Sequence, residues 1–269
     1  MSLSIAGKTA IVTGAARGIG LAVARHFVDR GARVMFADND EAKLAEEVGA
    51  ESAEEGAIRS FGGDLSQKLT MANLLSATVD AFERIDILVN ASRGIVMSDP
   101  LNPDDESIDA MLRQNLMTSL RLSQMAARRM IAQAEKDGRT DEPIGAIVNL
   151  STLAACRAQP ELLAYSIAGA ALDQATRALA VALAPQRIRV NGVAIASVMS
   201  ASLQASLKDN PDWRDSITHG TPLGRIAAPT ELVDAVQFLA SDGAGFITGQ
   251  VLTVDGGRGL IDAVAAPAY

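Results

Sequence analysis

The sequence predicts a doubly wound α/β fold, with seven parallel strands in one sheet and helices covering both faces. Three observations predict it. Short runs rich in β-branched residues alternate with helix-length stretches almost from end to end of the 269 residues, the mark of βαβ units joined by right-handed crossovers. Most of the runs carry apolar residues at consecutive positions, as strands buried on both faces do. No repeat, linker or low-complexity tract divides the chain, so one domain over residues 1–269 is expected.

Taken in order, residues 9–13 (TAIVT) form the first strand, and a glycine turn leads from it into a helix over 19–30. Strand 33–38 (RVMFAD) ends in an aspartate. A weaker strand over 57–61 precedes a helix over 67–84, then comes strand 86–90 (DILVN). A long helix is expected over 108–135, followed by a polar surface loop at 135–143 and strand 146–150 (AIVNL). Helix 162–184 is rich in alanine and carries only Asp173 and Arg177 as charges, which suits burial between subunits. Strand 188–193 (IRVNGV) follows, then the longest irregular stretch, 197–228, with Pro211, Trp213, His219 and Pro222. Long loops of this kind are often lids over a binding site. A helix over 230–240 and a last strand at 250–254 (QVLTV) close the pattern.

Composition narrows the function classes. The net charge of −8 argues against nucleic acid or an anionic membrane as a partner, because both reward clustered Lys and Arg. No stretch approaches the roughly 18 uncharged apolar residues of a membrane span. The N-terminus lacks the basic, hydrophobic and cleavage segments of a secretory signal. Cys156 is the only cysteine, so no intrachain disulfide can form. With His26 and His219 the only histidines, no metal site is expected. A soluble cytoplasmic protein is the expectation.

Chemistry enters at the first turn. Thr13-Gly14-Ala15-Ala16-Arg17-Gly18-Ile19-Gly20 follows the first strand and opens a helix. Glycines allow a tight turn and close backbone approach to a pyrophosphate, and the helix N-terminus offers free N–H groups and its positive dipole end. Asp38 lies 18 residues after Gly20, about where a ribose-binding acid belongs. Its carboxylate accepts from two ribose hydroxyls and repels a 2′-phosphate, so NAD is favoured over NADP, with Arg17 able to offset part of the repulsion. Two plainer readings stand beside these: a purely structural turn, and Asp38 as the cap of a following helix.

The T-G-x-x-x-G-x-G spacing resembles the short-chain dehydrogenase/reductase family, and further matches follow in order. Asp64-Leu65 resembles the pair that contacts adenine. Asn90-Ala91 begins the loop beside the cofactor ribose, and Asn115 resembles the helix asparagine of a proton relay. Tyr165-Ser166 begins the Y-x-x-x-K motif, and Ile188 to Asn191 and Ile247 to Gly257 resemble the last two strands. The resemblance covers about Ser4 to Gly259. It implies a Rossmann fold, a nicotinamide cofactor bound at Gly14, Ala16, Arg17, Gly18, Ile19, Gly20 and Asp38, and a homo-oligomer, tetramer or dimer. It also implies a small alcohol or carbonyl substrate held by a serine and a tyrosine, with a lysine that binds the nicotinamide ribose and lowers the tyrosine pKa. Asn115 would then hold a water linking that lysine to solvent.

Four departures cluster at the nicotinamide half. Thr152, with Ser151 ahead of it, stands 13 residues before Tyr165, where the family usually has the serine; threonine keeps the hydroxyl. Gly169 replaces the lysine. A free phenol titrates near about pH 10, so without a cation Tyr165 is a poor base at neutral pH. Arg93 and Arg157 are the candidate cations. The family's N-N-A-G loop reads Asn90-Ala91-Ser92-Arg93-Gly94, as though one residue were inserted, and Ile195-Ala196 stands where Pro-Gly is usual. Two functions are therefore open. One is a slow NAD-dependent oxidoreductase with Tyr165 as proton donor and Thr152 as its orienting partner. The other is an inactive NAD(H)-binding sensor or structural subunit.

Overall fold

The computed structural model describes residues 2–52 and 56–262; the remainder of the expected domain, out to residue 269, lies outside the described residues. Among these, seven strands form one all-parallel sheet in the order β3-β2-β1-β4-β5-β6-β7. The strands are β1 (Thr9–Thr13), β2 (Arg33–Asp38), β3 (Ile58–Gly62), β4 (Ile87–Asn90), β5 (Gly145–Thr152), β6 (Ile188–Ile195) and β7 (Val251–Val254). The order reverses between β1 and β4, and the carboxyl ends on either side of such a switch point form the binding crevice of open α/β sheets.

Strand periodicity divides the core. Ala10, Val12, Val34, Phe36, Val89, Val148 and Val193 face one layer. That layer contains α1 (Gly18–Asp29), α2 (Glu41–Val48) and α9 (Pro229–Ala240). Ile11, Met35, Leu88, Ile147 and Val190 face the other. There they meet α3 (Lys68–Phe82) and α5 (Thr118–Lys136), with Ala180 of α6 (Leu163–Leu183) joining them. Side chains alternate faces along a strand, so consecutive apolar residues serve both layers at once.

The structure departs from expectation at several elements. Strand β4 begins at Ile87, one residue later than expected, and the Asp86 carboxylate accepts the Thr9 N–H (2.9 Å) and pairs with Arg84. Strands β5 and β6 each run two residues beyond their expected ends, which puts Ser151 and Thr152 inside β5. The long helix is interrupted. Helix α4 (Ser107–Met111) passes into a π-turn at Leu112–Met117 before α5, and Thr118 Oγ1 donates to the Arg113 carbonyl (3.1 Å). The stretch 197–228 is not wholly irregular: it contains α7 (Ala201–Asp209) and α8 (Asp212–His219). Ser200 caps the first by accepting the Leu203 N–H (3.3 Å). Both helices are short and polar, so neither shows the apolar stripe by which a sequence reveals a helix. The segment Pro160–Gln186 is long and apolar enough, by length and composition alone, to cross a membrane. It carries Asp173 and Arg177, and Thr176 and Ala180 of α6 are buried within the fold.

Candidate active site

At the end of β1, Gly14 adopts φ +68°, open to glycine and strained for other residues. A Cβ there would stand 2.8 Å from the Ser92 backbone, and one on Gly20 would stand 2.1 Å from the Gly14 carbonyl oxygen. The turn, the start of α1 and the loop after β4 therefore touch backbone to backbone. Gly18 (φ +60°) begins α1, and a Cβ on it would meet nothing within 4 Å, so this glycine faces open space. Arg17, the N-cap, supplies no side-chain cap, and no acid occupies the first turn. The free N–H groups of α1 thus face the crevice, the arrangement that receives phosphate. These residues fit a pyrophosphate.

Asp38 is 9% exposed at the end of β2. Its two oxygens accept the Ala16 and Asp40 N–H groups, each at 3.0 Å, which fixes the carboxylate against the glycine turn. Helix α2 is capped by Asp40, which accepts the Lys43 N–H (3.0 Å), so the cap function belongs to Asp40 and not to Asp38. Arg17 is hydrogen-bonded to Asp40. Ile19 is part-buried against the α1 layer. Asp64 stands just beyond β3, where the neighbouring Gly63 N–H bonds to the Asp38 carbonyl (2.9 Å). The Ser66 hydroxyl and N–H hold the Asp64 carboxyl below its ordinary range. Leu65 is buried in the core beside α3, so its side chain is not presented to a ligand.

The other end of the site is built on α6. Tyr165, 5% exposed, packs with Met111, Ala164 and Ala168, and Ile108, Leu112, Ala154 and Leu162 lie around them. Its hydroxyl accepts from Arg93 Nη1 at 3.0 Å, and the same nitrogen reaches the Ser151 carbonyl at 3.4 Å. Of the two arginines left open by the sequence, Arg93 therefore meets the phenol, while Arg157 is exposed. Thr152 Oγ1 accepts the Ala154 N–H (3.1 Å). Its methyl lies where residue 169 would carry a side chain: a Cβ on Gly169 would stand 2.7 Å from Thr152 Cγ2. Two of the departures are thus one packing feature.

The loop carrying Arg93 is pinned on both sides. Thr13 Oγ1 accepts the Ala91 and Ser92 N–H groups, each at 3.0 Å. Asn115, in the π-turn, pairs with both backbone groups of Gly94: Oδ1 accepts its N–H and Nδ2 donates to its carbonyl, each at 2.9 Å. The Asn115 side chain is therefore engaged by the loop. The Asn90 side chain also points elsewhere, donating to Asn149 Oδ1 (2.8 Å) and Ser123 Oγ (2.9 Å) in a buried chain that continues to Thr176. Burial pushes the Asp173 carboxyl up, with the Ser151 hydroxyl and Arg177 acting against it. Thr13 carries no ligand-directed signal in the sequence; its role is visible only through the two N–H groups that converge on it.

Comparison with known proteins agrees with this geometry. A family model described as Enoyl-(Acyl carrier protein) reductase matches residues 14–258. The 2,3-dihydroxy-2,3-dihydro-p-cumate dehydrogenase of Pseudomonas putida is 31% identical over 263 residues, covering 97% of each chain. L-rhamnose 1-dehydrogenase (NAD(P)(+)) of Azotobacter vinelandii is 34% identical over 257 residues, covering 93% of this chain and 96% of the relative. Among solved structures, a 7α-hydroxysteroid dehydrogenase complexed with NADH and 7-oxo glycochenodeoxycholic acid superimposes with a TM-score of 0.85 at 27% identity, covering 95% of both chains. A gluconate 5-dehydrogenase from Burkholderia cenocepacia in complex with NADP and tartrate gives 0.83 at 29%, covering 95% of this chain and 96% of that one.

Proposed function

Because the chain belongs to the short-chain dehydrogenase/reductase family, whose fold binds nicotinamide cofactors, we propose that it moves a hydride between NAD(H) and a small alcohol or its ketone, with Tyr165 transferring the proton. One observation carries the reading. The loop from Asn90 to Gly94 touches the glycine turn at Ser92 and the phenol at Arg93, so the phosphate cradle and a buried proton donor share one wall.

In this reading the first turn of α1 and Gly14 to Gly20 receive the pyrophosphate, and Asp38 accepts from the adenosine ribose. The bound nicotinamide supplies the hydride acceptor or donor. Asp38 repels a 2′-phosphate, and the bond between Arg17 and Asp40 engages a guanidinium beside the turn that would welcome one, which supports NAD over NADP. In reduction Tyr165 gives its proton to the carbonyl oxygen, and in oxidation it takes one, with Thr152 orienting the oxygen. Residues 197–228 shape the substrate side as a lid. Membership of the family supports a homo-oligomer, and a single cysteine, which can form no intrachain disulfide, is in keeping with a cytoplasmic protein.

The test is a titration with NADH and NADPH, followed by NAD⁺ reduction with L-rhamnose, gluconate and cis-4-hydroxycyclohexanecarboxylate, named from relatives and structural neighbours. NADH should bind more tightly than NADPH, and Tyr165→Phe should lower turnover at least about a hundredfold, as expected for loss of a general acid. Turnover untouched by Tyr165→Phe would overturn the mechanism. Gly169 favours the second reading, an inactive NAD(H)-binding sensor or subunit. Tight NADH binding without turnover of any alcohol would establish that reading.

A further inference from the structure

We propose that Arg93 supplies, from the loop after β4, the positive charge that the missing lysine on α6 would have brought to Tyr165. The proposal deepens the oxidoreductase reading and rests on it.

Four observations carry it. Arg93 Nη1 is 3.0 Å from the Tyr165 hydroxyl, within ordinary hydrogen-bond distance. The second contact of Nη1, with the Ser151 carbonyl, fixes the nitrogen at the end of β5, beside Thr152. The loop is pinned on one side of Arg93 by Thr13 and on the other by Asn115, so the backbone that aims the guanidinium has little freedom. A Cβ on residue 169 would stand 2.7 Å from the Thr152 methyl, so a lysine at that position of α6 would have to displace it.

Apolar side chains pack around the phenol ring. Ile108 and Met111 from α4, Leu112 from the π-turn, Ala154 after β5, Leu162 before α6 and Ala164 and Ala168 on α6 are all uncharged. Among the described residues, Arg93 is half-buried and has no carboxylate within ion-pair distance, so its charge is not cancelled nearby.

The donor inventory gives the contact a direction. Arginine has five N–H donors and no acceptor. It therefore donates to the phenol oxygen and leaves the phenol hydrogen free for the substrate. As the carbonyl carbon gains the hydride, the Tyr165 proton passes to the carbonyl oxygen. The resulting phenolate is compensated by the guanidinium and regains a proton from solvent. In oxidation each transfer reverses. Arginine stays charged at all working pH values, so unlike a lysine it takes no proton itself. Asn115, acting through Gly94, is a positioning residue for Arg93.

The experiment uses the fact that the chain has two tyrosines, Tyr165 and Tyr269. In a Tyr269→Phe background, ultraviolet tyrosinate absorbance reports Tyr165 alone and needs no turnover. Arg93→Gln should move tyrosinate formation to higher pH, because it removes the positive charge hydrogen-bonded to the phenol oxygen. Arg93→Lys should stay close to the parent curve. With any alcohol the parent oxidises, Arg93→Gln should lower kcat near neutral pH by about tenfold or more, with KM little changed, and added guanidinium ion should restore part of the loss. Retained NADH binding and circular dichroism check that the variants fold. Superimposable tyrosinate curves would overturn the proposal. Separated curves with no turnover in the parent would leave the Arg93 assignment standing and remove the oxidoreductase reading.

Discussion

Thr152 and Gly169 share one volume. With Cγ2 of the threonine 2.7 Å from where a Cβ on residue 169 would sit, a lysine cannot simply be put back. Threonine is stiff about χ1, and its hydroxyl is already held by the Ala154 N–H, so the methyl has no easy retreat. Gly169→Lys alone is expected to destabilise the fold by about 1–3 kcal/mol, the usual range for overpacking. Thr152→Ser with Gly169→Lys should recover most of that, because serine keeps the hydroxyl and removes the methyl. Denaturant unfolding of the four combinations measures the coupling, and additive effects would mean that the two sites do not share space. Both residues are visible in the sequence as departures from a family pattern. Their dependence on each other is not, because positions 17 apart in the chain meet only once β5 is laid against α6. Arg93 is similar: two arginines lie near enough in sequence to serve, and the pinned loop decides between them.

Elements that bury an apolar face were legible, and those held by polar contacts were not. Strands β1, β2, β5 and β6 are visible as apolar runs, whereas α2 depends on the Asp40 cap and α7 on the Ser200 cap. The π-turn is also silent, since one extra residue in a turn leaves the apolar periodicity of 108–135 nearly intact. Another polar device sits at the start of α9. The Glu231 carboxylate accepts the Ala228 N–H (2.9 Å) and both terminal nitrogens of Arg225 (2.6 Å each), tying the end of the α7–α8 segment to the helix. These bonds, the Arg225 pair first, hold the Glu231 carboxyl down at about 2, against an ordinary 4.5. A depressed carboxyl pKa contributes stability that is present above the unfolded value and is lost as pH falls through the folded one. The stability difference between the parent and Glu231→Gln should therefore be constant near neutrality and shrink from about pH 4.5 down to about 2. Unfolding midpoints at neutral and acid pH measure it; a difference independent of pH would mean that the ion pair contributes nothing. The pair is solvent-exposed, so the whole effect should be small and should weaken with salt.

For the whole molecule, the strand order leaves β7 at one edge of the sheet, and an exposed apolar edge is a template for association unless it is covered. Leu252 on β7 is exposed, and Phe246 and Leu260 on either side of the strand are also exposed. Helix α6 repeats the pattern on its outer face. Leu163, Ile167, Ala170, Ala178 and Val181 are all exposed, and Val181 is 78% accessible. Their spacing of three to eight residues, mostly whole turns, places them along one stripe of a 3.6-residue helix, which also carries the exposed Gln174 and, at its edge, Arg177. The opposite stripe carries Tyr165, Gly169 and Leu172, which are buried in the fold. A second copy seated on the outer stripe would therefore restrain the helix that positions the phenol, and association and catalysis would meet in one element. Sedimentation should find a multiple of the 28.0 kDa chain. Ile167→Arg with Val181→Arg should shift it toward the monomer by placing charges on an apolar contact, while far-ultraviolet dichroism stays native. A monomeric parent would show that both apolar surfaces remain in water, and would separate the geometry of Tyr165 from any partner.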